Sequence, residues 1–133
     1  MNKLLGNIKS IDAHDGLLLI KTNVNNTELE AIIIGNENEY PYLKNNNNVS
    51  LIFKETEVLL SKDKSLNISD NNEITCTITS TTKGSLLTQV NLDFDGNIIA
   101  AVITSSSAER LQLKINDTVK AFIKANEIIV AEC

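Results

Sequence analysis

Four consecutive hydroxyl residues, Thr104, Ser105, Ser106 and Ser107, run from the end of a β-patterned stretch into the start of a short helical one. Twenty positions on, Lys124 closes another β-patterned stretch and is followed by Ala125 and Asn126, where the chain must turn. Ser69 and Asn71 stand just ahead of the first strand of the same half. Hydroxyls, backbone amides at a helix start and one lysine are the donors that a small, multiply charged tetrahedral oxyanion needs. Thr104, Ser105, Ser107, Lys124, Ala125, Asn126, Ser69 and Asn71 are therefore the candidate oxyanion residues. Each has a plainer use. Ser106 with Glu109 three residues later fits a capping box, and a helix cap is the commoner employment of such a hydroxyl cluster. A lysine at a strand end is more often a solvated edge residue. Ser69 and Asn71 are by default linker residues.

Other chemistries find no support. The lone histidine, His14, lies in the turn-forming run Asp12–Gly16, far from the serines, so a Ser/His/Asp triad is not available. Asp93 and Asp95 beside Gly96 read as a hairpin turn rather than a calcium loop. Cys76 and Cys133 form neither a disulfide framework nor a metal motif, and no bare-cation site is expected. The net charge is −5, Arg110 is the only arginine, and no basic patch offers itself to a nucleic-acid backbone. The apolar runs, Leu17–Ile20 among them, are too short for a signal segment or a membrane span, so a cytoplasmic, soluble binding protein without catalytic activity is expected.

The elements that would position these residues recur. Sliding the 133-residue chain on itself by 70 positions sets Asn2 on Asn72, Ile8 on Ile78, Ser10 on Ser80 and Leu17 on Leu87. The same shift sets Leu43-Lys44 on Leu113-Lys114, Val49 on Val119, Lys54 on Lys124 and Glu57 on Glu127. Identities at turns and lysines, not only in strands, mark an internal repeat. In each copy the apolar pattern gives five short strands, with one helical turn between the third and fourth, over Asn36–Tyr42 and Ser107–Leu111. That is the order of a small OB-like barrel. The expected architecture is all-β: two tandem five-stranded OB-like barrels, each with one short helix, over residues 1–62 and 71–133, with 63–70 as linker. The strand Leu86–Phe94 is expected to turn Leu86, Val90, Leu92 and Phe94 inward. In the first copy Ile34 and Glu37 replace Thr104 and Ser107 and only Lys54 is kept, so Lys54 is a weaker candidate and this copy mainly scaffold.

These patterns resemble the molybdate-binding Mop domain, also called the TOBE domain, in its tandem (di-Mop, molbindin-like) form. The segments that carry the resemblance are Ala101-Val102-Ile103-Thr104, Leu111-Gln112-Leu113-Lys114, Val119–Ala125 and Leu4–Ile8. The resemblance implies molybdate or tungstate as bound ligand, held by amides, hydroxyls and a lysine at sites shared between subunits of a homo-oligomer. Thr104, Ser107, Lys124 and Ala125 match the family's binding loop and lysine turn, and Ser69 the serine of its Ser-x-Arg-Asn opening. Asn71 stands where arginine is usual, and Asn126 where serine is common. The role implied is oxyanion storage, homeostasis or sensing. The alternative is a non-catalytic regulatory or interaction module of a molybdate transporter or regulator that has lost oxyanion binding.

Overall fold

Each repeat keeps four strands for its own sheet and gives its fifth to the other. The computed structural model describes all 133 residues. Its first half contains β1 (Asn2–His14), β2 (Leu17–Val24), β3 (Thr27–Ile34), β4 (Asn48–Phe53) and β5 (Val58–Ser61). The second contains β6 (Glu73–Lys83), β7 (Leu87–Phe94), β8 (Asn97–Thr104), α1 (Ser105–Leu111), β9 (Thr118–Ile123) and β10 (Ile129–Glu132). The strand orders are β10-β4-β1-β2-β3 and β5-β9-β6-β7-β8. β10 lies antiparallel to β4, from Ile129 opposite Ile52 to Glu132 opposite Val49. β5 lies antiparallel to β9, from Val58 opposite Ile123 to Ser61 opposite Lys120. Tight 3-10 turns at Glu55–Glu57 and Ala125–Glu127 lead the chain out of one sheet into the other.

The tandem OB-like, all-β architecture is thus present, and the 70-residue period extends to detail. Both first strands carry an irregularity at the same place, between Ile8 and Ser10 and between Ile78 and Ser80. Asn46 and Asn116 both adopt positive φ, 72° and 75°. Each donates its backbone N–H, at 2.8 Å, to Ile8 O and Ile78 O respectively. Asparagine tolerates that left-handed geometry better than most residues, which accounts for its recurrence at the turn. Alternate residues of the strands, among them Leu18, Ile20, Val24, Val90, Leu92 and Phe94, point into one buried cluster of 25 residues drawn from both repeats.

Three expectations need correction. Leu86 is 81% exposed and precedes β7, and its carbonyl accepts from Ser105 N; the buried residue at that phase is Thr88. The turn expected at Asp12–Gly16 is strand as far as His14, where β1 ends. The first repeat has a single 3-10 turn, Glu37–Glu39, in place of a short α-helix. Pro41 disfavours helical backbone at Tyr40, which sits at φ −128°, ψ 83°. The edge-to-face pair Tyr40–Tyr42, 6.2 Å between ring centres, occupies the positions equivalent to Arg110 and Gln112.

The repeats are also joined by two side chains. Asn72, fully buried, accepts from Glu30 N and donates to Glu30 O, each at 2.8 Å. Asn2 does the same to Ala100 N and Ala100 O, again at 2.8 Å. Positions 2 and 72, and 30 and 100, are related by the repeat. A carboxamide imitates one peptide unit of a strand, so each clamp satisfies the edge of β3 or β8 without a further strand. Asn72→Ala strips Glu30 of both partners and is expected to cost about 2–4 kcal/mol in urea unfolding; an unchanged midpoint would show that water replaces the clamp.

Candidate functional site

Helix α1 separates two grooves, and the hydroxyl residues divide between its faces. Thr104 is the N-cap: its Oγ1 accepts from Ser107 N at 3.2 Å and donates to Ser107 Oγ at 2.7 Å. The capping box expected at Ser106 and Glu109 is therefore not the one used. Ser106 Oγ reaches Thr104 Oγ1 at 3.4 Å, and Glu109 instead pairs with Lys83 at 2.6 Å. The equivalent box does form in the first repeat, where Asn36 N donates to Glu39 Oε1 at 3.1 Å.

Ser105 is set apart from its neighbours. It is buried, its Oγ donates to Gly84 O at 2.7 Å and lies 2.8 Å from Thr88 Oγ1. Its backbone N–H is bound by Leu86 O. Gly84 is needed for this arrangement, because a Cβ there would meet Leu87 O at 2.6 Å. Ser105 thus anchors the loop to the β6–β7 turn and offers no hydroxyl to a ligand, which corrects its place among the candidates.

Thr104 and Ser107 face a groove of about 430 Å3 formed with the first repeat's Thr56, Val58, Leu59 and Leu60. Arg110, one turn of helix beyond Ser107, lines the same groove. Its walls are mainly apolar and include no carboxylate. Ser69 and Lys124 meet in a neighbouring groove of about 330 Å3, which shares Thr56 and Leu59 with the first and holds Glu57, Asp70 and Glu127. The reason is the strand exchange: the 55–57 turn lies against β8, and the 125–127 turn against β3. Within one chain, then, Lys124 is not a wall of the groove that Thr104 and Ser107 face. Ala125 and Asn126 follow Lys124 in its 3-10 turn, Ala125 half-buried and Asn126 exposed. Asn71 donates to Glu30 Oε1 at 3.0 Å. Lys54 begins the 55–57 turn, exposed to solvent. Arg110 and Thr56 escaped the sequence reading, although the three-residue spacing Thr104–Ser107–Arg110 could have flagged the former.

The charges of the two grooves differ. Burial pushes the Asp70 carboxyl above its ordinary range, and Glu30 acts in the same sense; the Asn72 N–H, at 3.0 Å, and Lys124 pull it down. On the other face of α1, Lys83 holds the exposed Glu109 carboxyl below its ordinary range. A carboxyl with a raised folded pKa adds stability below its unfolded pKa and loses that contribution as pH rises through the folded value. Asp70→Asn keeps an acceptor for Asn72 N–H. It is expected to hold or raise the thermal midpoint at neutral pH and to flatten its rise on mild acidification; a midpoint lowered at neutral pH would overturn this.

The TOBE domain model matches residues 68–130, the second repeat. No curated protein matches the sequence. Among solved structures, the chain superposes on the cytoplasmic molybdate-binding protein ModG, in a crystal form with molybdate bound, at TM-score 0.90 and 21% identity. That match covers 99% of this chain and 96% of the other, so the shared fold extends over both repeats. A molybdate-binding protein from Sporomusa ovata matches at 32% identity and TM-score 0.44, over 45% of this chain and 90% of that one.

Proposed function

We propose that this chain, a tandem TOBE-domain protein, binds molybdate or tungstate in the cytoplasm for storage, homeostasis or sensing, without catalysing a reaction. The observation that carries the reading is the Thr104–Ser107 hydroxyl set, open to a groove that no carboxylate lines. A fold shared over its whole length with a molybdate-bound protein supports the choice of ligand. Ser107 Oγ accepts from Thr104, so its own hydrogen is free to donate. The apolar wall lowers the local dielectric and strengthens each such bond.

Ser69, Asn71, Lys124, Ala125 and Asn126 complete the site in this reading by arriving from a second copy of the chain, with Lys54 as a lesser contributor. The lysine groove shares a wall with the hydroxyl groove and opens beside the exposed side chain of Leu59, which suits a homo-oligomer with sites between subunits. The ligand is a small oxyanion, with neither nucleic acid nor membrane as partner. A second reading, a regulatory module that has lost oxyanion binding, draws support from Glu57, Asp70 and Glu127 around Lys124, since three carboxylates repel a dianion.

Calorimetric titration distinguishes the two. Heat with molybdate but not with sulfate is expected, and Thr104→Val with Ser107→Ala should weaken affinity at least about tenfold, ~1.4 kcal/mol. No heat and no thermal stabilisation at saturating molybdate would leave the regulatory reading. Light scattering tests the shared site separately: a mass above one chain is expected, and a clean monomer would remove it.

A further inference from the structure

We infer that Arg110 is the cationic ligand that a chain contributes to its own oxyanion groove, acting with Thr56 of the first repeat and with Thr104 and Ser107 of the second. The inference deepens the proposed function and rests on that reading. It begins with position. Thr104, Ser107 and Arg110 are spaced three apart and line one side of the groove, while Thr56 comes from the exchanged turn on the other. Ser107 and Thr56 supply hydroxyls and Arg110 a guanidinium, while Thr104, whose hydrogen goes to Ser107, orients the serine.

Charge makes the assignment. The four ion pairs of the chain use the N-terminus, Lys9, Lys62 and Lys83, so the Arg110 guanidinium is left without an acidic partner. Of the two acids that flank Thr56, Glu55 is held below its ordinary pKa range by its own backbone N–H and then by the amino group of Met1 at 3.1 Å, and Glu57 lines the neighbouring groove. The groove therefore offers one uncompensated positive charge. The neighbouring groove sets one lysine against Glu57, Asp70 and Glu127, a balance that disfavours a dianion in a single chain. A guanidinium can also donate two parallel hydrogen bonds to adjacent oxygens of a tetrahedral anion, which an ammonium cannot. The equivalent positions of the other copy lack the guanidinium and the Thr–Ser hydroxyl pair, since Ile34, Glu37, Tyr40 and Asn126 stand where Thr104, Ser107, Arg110 and Thr56 would be. One oxyanion groove per chain follows.

The test is titration of the full-length protein with molybdate, in parallel with Arg110→Gln, Arg110→Lys, Thr56→Val, Lys124→Ala and Lys114→Gln. Arg110 is exposed, so its variants should fold, and their thermal midpoints check it. Arg110→Gln is expected to weaken affinity at least about tenfold, with Arg110→Lys recovering part of it and Thr56→Val losing about threefold. Lys114→Gln removes the same charge on the far side of α1 and should leave affinity unchanged. Equal losses in Arg110→Gln and Lys114→Gln would overturn the assignment as a general charge effect. Loss in Lys124→Ala with none in Arg110→Gln would overturn it in favour of the lysine groove, leaving the proposed function intact. No binding by the unaltered protein would overturn both.

Discussion

Two buried carboxamides hold the repeats in register. Asn72 closes on the peptide of Glu30, and Asn2 on that of Ala100, each with a donor and an acceptor at 2.8 Å. Backbone groups at a sheet edge need partners, and a neighbouring strand is the usual source. Here a side chain from the other repeat supplies them, reciprocally. The exchanged strands β5 and β10 complete the arrangement, so each sheet is closed at one end by a strand and clamped at the other by an asparagine, both from the other half. The common core of 25 buried residues is the packing consequence. Neither repeat owns a full set of elements.

That interlock decides where chemistry can occur. A tandem array of independent barrels would pair the 104–107 loop with the lysine turn of the same repeat. Exchange instead sets the loop against the 55–57 turn of the first repeat, and gives Lys124 to the face of β3. The donors on α1 are then sorted by helical phase. Ser105 looks inward and is used up by Gly84 and Thr88, whereas Thr104, Ser107 and Arg110 look across the repeat boundary. The two repeats share a fold but diverge in groove chemistry, because Pro41 and the Tyr40–Tyr42 pair remove the helix from the first.

Much of the fold was legible in the sequence because its signals are local. Period-two alternation marks the strands, and the asparagines at positive φ mark the turns; a shift of 70 aligned them without a gap. Which strand a segment joins is not a local property. Val58–Ser61 reads as a strand in any partner, so its exchange was invisible. The site suffered from the same limit. Thr104, Ser105 and Ser107 are one hydroxyl run on paper, and only the 5% exposure of Ser105 tells it apart from the others. Leu86 looked like a core residue because it continued the alternation of β7, but the strand begins one residue later, and the buried position at that phase is taken by Thr88.

The exchanged β10 bears on the order in which the molecule can take shape. β4 is continuous with β1 and its hairpins by residue 53, yet its outer neighbour spans Ile129–Glu132. During synthesis from the N-terminus, the first sheet must wait, with the edge of β4 open and the Glu30 peptide unclamped, until the second half has emerged. Sequence separations of this size slow folding and leave unpaired edges exposed meanwhile. A lone first half is in that sense an incomplete object, and the strand that completes it is the tenth in order along the chain.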